Sequence, residues 1–159
     1  MYEYSGIINT IKPLGWTSMD VVRLVKRLTG QKKVGHAGTL DPQASGILPI
    51  CIGQATRVME YVVDRPKVYL ARIRLGEATD TYDTQGQITF TSNPENIGID
   101  DVVTQLDKFR GSIYQVPPMY SALKRDGRRL YDLARAGEEI AREPRPVECY
   151  RLDLKSYNL

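Results

Sequence analysis

The sequence predicts a mixed α+β fold in which a largely antiparallel sheet is flanked by helices. Residues 68–75 show the period-two alternation of a strand, and residues 17–30 carry the start, apolar face and stop of a helix. Strands do not alternate regularly with helices along the chain, which argues against a parallel sheet. The length of 159 residues, 42% of them apolar, suits one globular domain with its own core.

The first 30 residues predict a short strand, a turn and a helix. Residues 7–11 form an apolar run that ends at Pro13. The helix begins after Thr17, whose spacing to Asp20 matches a capping box, and it ends at Gly30. Its inward face is predicted to carry Val21, Leu24, Val25 and Leu28.

The next elements lead to residue 75. Residues 31–41 are polar and contain glycine, which indicates a loop, whereas residues 47–52 are a short apolar run. A second helix is predicted over residues 55–63, followed by a strand over residues 68–75. One face of that strand is predicted to carry Tyr69, Ala71, Ile73 and Leu75.

The second half of the sequence continues with shorter elements. Residues 79–86 form a loop rich in Thr and Asp, and residues 88–91 a short strand. A helix over residues 99–109 is stopped by Gly111. Its inward residues are predicted to be Val102, Val103, Leu106 and Phe109.

Three further elements are predicted before residue 159. Asp126 and Gly127 mark a tight turn that precedes two arginines. A short helix follows over residues 130–136 and ends at Gly137, and residues 147–154 predict a last strand. No linker divides the chain into independent domains.

Composition excludes several classes of function. There is no apolar run long enough for a membrane span, and the N-terminus lacks the features of a signal peptide, so the expected compartment is the cytoplasm. Cys51 and Cys149 stand in apolar stretches and are predicted to be reduced. His36 is the single histidine, and CxxC, HExxH and Walker patterns are missing, which argues against metal and nucleoside-triphosphate chemistry.

Charge is distributed unevenly although the net charge is only +3. Basic residues outnumber acidic ones six to two up to Leu40, and residues 76–107 contain no Lys or Arg. The segment 119–135 mixes basic and aromatic residues in a way that can grip phosphates and stack on bases. An ordinary solvated helix face is the alternative interpretation of that segment.

Residues 35–49 combine three glycines, two prolines, one carboxylate and the only histidine. Glycines permit backbone geometry that is closed to other residues, and Pro42 biases the preceding Asp41 toward extended conformations. The carboxylate of Asp41 is therefore predicted to be presented in a defined direction. The alternative is that Asp41 and Pro42 form the N-cap and first residue of a helix.

An ordered set of short motifs runs through almost the whole chain. Its members are residues 12–18, 35–49, 48–57, 67–69, 75–83, 116–124, 127–131 and 134–137. In this order the motifs closely resemble those of the TruB-type tRNA pseudouridine synthases. The pattern at residues 79–81 resembles the bacterial tRNA enzymes more than their guide-RNA-dependent relatives.

The resemblance implies an enzyme that converts the T-loop uridine at tRNA position 55 to pseudouridine without a cofactor. Asp41 matches the catalytic aspartate, a nucleophile that attacks after the base has been flipped out. His36 matches the residue that fills the vacated space, and Tyr69 the residue that stacks on the flipped base. A backbone-bonded loop histidine and a core tyrosine are the alternatives. The residues that shape the loop are Gly35, Gly38, Thr39, Pro42 and Gly46.

The same resemblance points to the RNA contacts. The predicted phosphate contacts are Lys12, Lys124, Arg125, Arg128 and Arg129, the last four in an RNA-gripping insertion at about 112–146. We expect the T-arm of tRNA as partner, no membrane or metal, and a monomer. Asp80 and Asp83 suggest a metal site only weakly and favour a role in loop structure.

Members of this family continue past the position equivalent to Leu159, with further strands, a Lys-Gly-Thr-Tyr-Ile-Arg type motif and commonly a PUA domain. The 159 residues thus correspond to the N-terminal portion of the catalytic domain. That motif supplies an arginine that pairs with the catalytic carboxylate, so we expect the 159 residues alone to be inactive. A non-catalytic tRNA-binding or RNA-folding module is the alternative function.

Overall fold

The computed structural model of the chain describes residues 4–118, 124–125, 128–129, 138 and 140–158. The chain divides into two compact units, Met1–Leu70 and Ala71–Leu159. Every strand pairing between the described strands is antiparallel, and helices accompany the strands, so the predicted α+β class is confirmed. In the described part of the chain, no helix is both long and apolar enough to cross a bilayer.

The first unit is built on a three-stranded sheet in the order β1-β3-β2. Strand β1 (Gly6–Lys12) pairs along its whole length with β3 (Gly46–Ile52), and the short strand β2 (Val34–His36) pairs with the last residues of β3. Its helices are α1 (Ser18–Thr29), a 3₁₀ helix (Gly53–Val58) and α2 (Met59–Val63). Strand β2 lies in the segment that the sequence predicted to be a loop.

Helix α1 confirms the predicted start and stop. The Thr17 side chain accepts a hydrogen bond from the Asp20 N–H, the Asp20 carboxylate accepts one from the Thr17 N–H, and Gly30 ends the helix in the left-handed region at φ 66°. The predicted inward position of Leu28 is wrong, because its side chain is 74% exposed. The buried residues of the helix are Ser18, Val21, Val22 and Val25, and the face that they form does not include Leu28.

The core of the first unit lies between α1 and one face of β3. Side chains at alternate positions of β3 point to the same face of the sheet and meet the valines of the helix. The buried cluster consists of Val21, Val22, Val25, Leu48, Ile50 and Ile52. Leu40 and Val34 pack against this cluster from the loop and from β2.

The strand predicted over residues 68–75 is not present, and none of the described strands pairs with this segment. Its side chains are exposed up to Arg74, to 98% at Val68 and 69% at Tyr69, and Leu75 is half-buried. An alternating pattern shows that a segment fits a half-buried sheet surface, but a strand forms only where a neighbour completes the hydrogen-bonded ladder.

The described residues of the second unit form three two-stranded sheets and one helix. The strand predicted over residues 88–91 is confirmed. The paired strands are β4 (Glu77–Thr79) with β5 (Ile88–Thr91), β6 (Gly111–Gln115) with β9 (Arg145–Cys149), and β7 (Lys124–Arg125) with β8 (Arg128–Arg129). The turn predicted at residues 126–127 and the helix predicted over residues 130–136 lie outside the described residues.

Two predicted boundaries of the second unit shift. Helix α3 (Ile99–Asp107) ends two residues early, and Val103 and Phe109 are 40% and 53% exposed rather than inward. The last strand covers Arg145–Cys149 instead of residues 147–154, because its pairing with β6 sets its bounds. Pro146 is tolerated there since a two-stranded sheet leaves an outer edge that needs no donor.

The two cysteines are both free, and they differ in burial. Cys51 is completely buried in β3, and desolvation raises the pKa of its thiol. Cys149 at the end of β9 is half-buried. The interpretation as a small buried hydrophobe therefore fits Cys51 better than Cys149.

The capping box predicts an acid-sensitive contribution to stability. Hydrogen bonds from Thr17, helped by the charge of Arg23, lower the pKa of Asp20 below its ordinary value of 3.8. A lowered folded-state pKa means that the stabilisation is complete above that ordinary value and is lost as the pH falls through the lower folded value. We expect Asp20→Asn to flatten the dependence of the urea midpoint on pH between about pH 5 and about pH 2. Thr17→Ala, which removes the largest cause, should do the same, and an unchanged acid dependence in both variants would contradict this account.

Candidate functional site

The loop between β2 and β3 is bonded to the segment that precedes and begins α1. The Ser18 hydroxyl accepts a hydrogen bond from the Leu40 N–H at 3.0 Å and donates one to the Leu40 carbonyl at 3.2 Å. Two residues further along the loop, the Pro42 carbonyl accepts a hydrogen bond from the Gly15 N–H at 2.8 Å. Asp41 therefore lies between two residues whose backbone is held.

Asp41 itself presents a free carboxylate. Its side chain is exposed and, among the described residues, has no hydrogen bond or ion pair. Its carbonyl accepts a hydrogen bond from the Ala44 N–H at 3.0 Å, which closes a turn over Pro42 and Gln43 before β3 begins. No helix starts here, so the alternative interpretation of Asp41 and Pro42 as a helix N-terminus is wrong.

The glycines at the three positions of this segment are required for different physical reasons. Gly38 has φ 125°, which side chains rarely adopt, and Gly46 has φ 152° where the loop enters β3. Gly35 lies in β2, where an added Cβ would stand 3.1 Å from the Met59 sulfur. Ala37 is buried and donates to the Pro49 carbonyl, whereas Thr39 is exposed. Backbone conformation and close packing together fix the course of the loop.

His36 is the last residue of β2 and is half-buried. Its Nδ1 forms a hydrogen bond with the Gly38 carbonyl, and because a carbonyl only accepts, Nδ1 is the donor. The alternative of a loop histidine bonded to the backbone is therefore present in the structure. The bond also fixes the imidazole to the loop that carries Asp41.

Lys12 requires a correction. Its side chain is 0% exposed, and its ammonium donates to the Pro13 carbonyl at 2.9 Å and to the Trp16 carbonyl at 2.6 Å. An ammonium enclosed in this way is not accessible to a phosphate, so the position of Lys12 contradicts its predicted role as a phosphate contact. It stabilises the turn 13–16, which contains the N–H of Gly15 that holds Pro42.

Tyr69 lies in the first unit, and the remaining basic residues predicted to contact RNA lie in the second. Tyr69 is exposed, lies outside any strand, and makes no hydrogen bond among the described residues. In the second unit, Lys124 pairs with Arg129 and Arg125 with Arg128 across one hairpin. The backbones of these four basic residues are thus adjacent on two short paired strands.

The acidic residues of the second unit have structural roles. The Asp80 carboxylate accepts a hydrogen bond from the Gln87 N–H at 2.8 Å, and Asp83 accepts from the Gln85 N–H and the Thr81 hydroxyl. The Thr81 hydroxyl is the main cause that lowers the pKa of Asp83. The expected role in loop structure is confirmed, and the described residues contain no group of three or more acidic, His or Cys side chains placed to hold a metal ion.

Sequence reasoning missed the two groups that hold the loop. Ser18 follows the capping residue and was part of a motif, but nothing in the local pattern indicates a partner 22 positions away. Gly15 has φ 79°, which explains a glycine in the turn, yet its N–H bond to Pro42 depends on the tertiary fold.

Comparisons with known proteins give a consistent result. A family model described as "TruB family pseudouridylate synthase (N terminal domain)" matches residues 26–159. The chain is 48% identical to "tRNA pseudouridine synthase B" of Clostridium perfringens strain SM101 over 149 residues, 94% of this chain and 51% of the relative. It is 50% identical to the protein of the same name from Clostridium acetobutylicum over 154 residues, 97% of this chain and 53% of that protein.

A third bacterial relative and a solved structure extend the comparison. "tRNA pseudouridine synthase B" of Symbiobacterium thermophilum is 48% identical over 155 residues, 98% of this chain and 52% of the relative. A chain in the crystal structure of a Cbf5-Nop10-Gar1 complex matches with a TM-score of 0.57 and 26% identity, covering 94% of this chain and 36% of that one. The chain spans about half the length of the curated relatives that it matches.

The burial of Lys12 predicts a structural effect and no direct effect on RNA contacts. Lys12→Met should lower the free energy of unfolding by roughly 1–3 kcal/mol, because two carbonyls lose their donor. The slope of log Kd against log salt for tRNA binding should stay unchanged, since no phosphate contact is lost. Lys32→Met, at an exposed lysine, is the control for stability. Urea denaturation measures the free energy of unfolding, and salt titrations of tRNA binding measure the slope. A slope reduced by about one unit in Lys12→Met would show that Lys12 contacts a phosphate.

Proposed function

The chain belongs to the TruB family of pseudouridylate synthases, and on that premise we propose that the protein isomerises the T-loop uridine of tRNA to pseudouridine with Asp41 as nucleophile. The observation that carries the proposal is the exposed carboxylate of Asp41, which has no partner in the described part of the chain, on a backbone that is bonded on both sides. A reacting group must be accessible and must also be held in place.

The proposed reaction is an isomerisation of the uridine. The N1–C1′ bond of the uridine breaks, the base turns, a C5–C1′ bond forms, the proton at C5 leaves and N1 gains a proton. No atom is added or lost overall, so the net reaction consumes no co-substrate. A carboxylate can form a reversible covalent bond either to the sugar carbon or to the pyrimidine ring, and both routes restore Asp41 at the end.

The uridine has to leave the folded T-loop before Asp41 can reach it. His36 is proposed to fill the vacated space, since its ring is fixed to the Asp41 loop through the Gly38 carbonyl. Tyr69 is proposed to stack on the flipped base, for which its exposed ring has the free surface. Both roles rest on the family resemblance, and the exposure and bonding of the two side chains are compatible with them.

The basic hairpin formed by β7 and β8 is proposed to hold the T-arm. Two strands that each carry two cations bring four charges within a few residues of one another. Cationic side chains attract any phosphate backbone, and their contacts with phosphates fix its position without reading the bases. In this proposal the hairpin supplies affinity for tRNA and Asp41 supplies the chemistry.

We expect Asp41→Asn to abolish isomerisation while leaving tRNA affinity nearly intact. The amide keeps the shape of the side chain but is not a nucleophile, so the rate should fall on the order of 10⁴-fold or more. The assay uses the whole protein as its gene encodes it and tRNA carrying tritium at uridine C5, because that hydrogen is released in the reaction.

Asp64→Asn provides the matched control, because Asp64 is an exposed carboxylate at the end of α2 in the same unit. Its tritium release should equal that of the unchanged protein. If Asp41→Asn released tritium at the normal rate, Asp41 would not be the nucleophile.

Removing two charges from the basic hairpin should weaken binding and change its salt dependence. Arg128→Gln with Arg129→Gln should raise the tRNA Kd by about tenfold and reduce the slope of log Kd against log salt by about two units. Lys32→Gln with Lys33→Gln removes the same charge from exposed positions in the first unit and should have a smaller effect. Equal effects of the two pairs would mean that net charge, and not the hairpin, determines affinity.

A further inference from the structure

The geometry points to Ser18 as a positioning residue for Asp41. We propose that the Ser18 hydroxyl holds the carboxylate of Asp41 in its reactive position by fixing both backbone groups of Leu40, an inference that rests on the proposed function. Ser18 touches neither the substrate nor the carboxylate in this account and acts only through the loop backbone.

The hydroxyl acts as both donor and acceptor and is shielded from water. It accepts from the Leu40 N–H and donates to the Leu40 carbonyl, so one side chain satisfies both polar groups of a single residue. Ser18 is 4% exposed, which keeps water from replacing it, and Leu40 packs against the core. Its position in the first turn of α1 connects the loop to the most strongly packed helix of the unit.

The connection from Leu40 to Asp41 is covalent and rigid. The Leu40 carbonyl and the Asp41 nitrogen belong to one planar peptide group, so fixing the carbonyl also fixes the plane from which Asp41 starts. On the other side, Pro42 has a restricted φ and its carbonyl is bonded to Gly15, while the Asp41 carbonyl is bonded to Ala44. The main freedom left to Asp41 is rotation of its own side chain.

A matched control lies next to Ser18 in the sequence. The Thr17 hydroxyl bonds only to Asp20 within the helix start and makes no bond to the loop. Thr17→Ala therefore removes a hydroxyl and destabilises α1 without releasing Leu40. A role of Ser18 in stability alone would make the two alanine variants alike in catalysis.

The experiment compares Ser18→Ala, Ser18→Cys and Thr17→Ala in the whole protein, using tritium release for kcat and KM and hydrogen exchange for the Leu40 amide. We expect Ser18→Ala to lower kcat by about 10- to 100-fold with KM for tRNA unchanged, because a small displacement of a reacting group costs rate rather than binding. Ser18→Cys, whose thiol is somewhat larger and a weaker hydrogen-bond donor, should have a kcat between those of the unchanged protein and Ser18→Ala. Exchange at Leu40 should be faster in both Ser18 variants and unchanged in Thr17→Ala.

The outcomes separate this inference from the proposed function. A kcat in Ser18→Ala or Ser18→Cys equal to that of Thr17→Ala, with Asp41→Asn inactive, overturns the positioning role alone. Normal Leu40 exchange in the Ser18 variants overturns it as well, without any activity measurement. Full activity of Asp41→Asn overturns the proposed function, and the inference about Ser18 with it.

Discussion

The candidate site depends on the hydrogen bonds that fix the backbone around an exposed carboxylate. A nucleophile that is buried loses hydration, and one that is exposed on a free loop loses its position. Here the Ser18 hydroxyl and the Gly15 N–H bond to the residues before and after Asp41. Each of these hydrogen bonds contributes about 1 kcal/mol to the free energy of unfolding. The carboxylate therefore stays in water while its backbone is held from the side of the core.

The buried side chain of Lys12 stabilises the turn that makes one of these hydrogen bonds. The buried ammonium of Lys12 needs hydrogen-bond partners because a desolvated charge is costly, and it finds them in the Pro13 and Trp16 carbonyls. Those contacts stabilise the turn that presents the Gly15 N–H to Pro42. A lysine at the end of β1 is thus connected to the Asp41 loop through the turn, although it lies far from the loop in sequence.

Elements whose signals are local were predicted well. Helix α1 has its capping box, apolar face and terminal glycine within 14 residues, so neighbouring side chains decide it. The strand over residues 68–75 was wrong because a strand needs a partner that its own sequence does not contain. Strand β2 was missed for the same reason, since three residues join the sheet only because β3 lies beside them.

The sequence by itself predicted the loop that carries the candidate site and the carboxylate that is proposed to react. Gly38, Pro42 and Asp41 restrict the backbone and supply the carboxylate through properties of the residues themselves. Only the tertiary structure decided that Lys12 is buried and that Ser18 bonds to Leu40. Those outcomes depend on groups brought together from separate parts of the chain, and side-chain type alone fixes neither the partner of a hydroxyl nor the exposure of an ammonium.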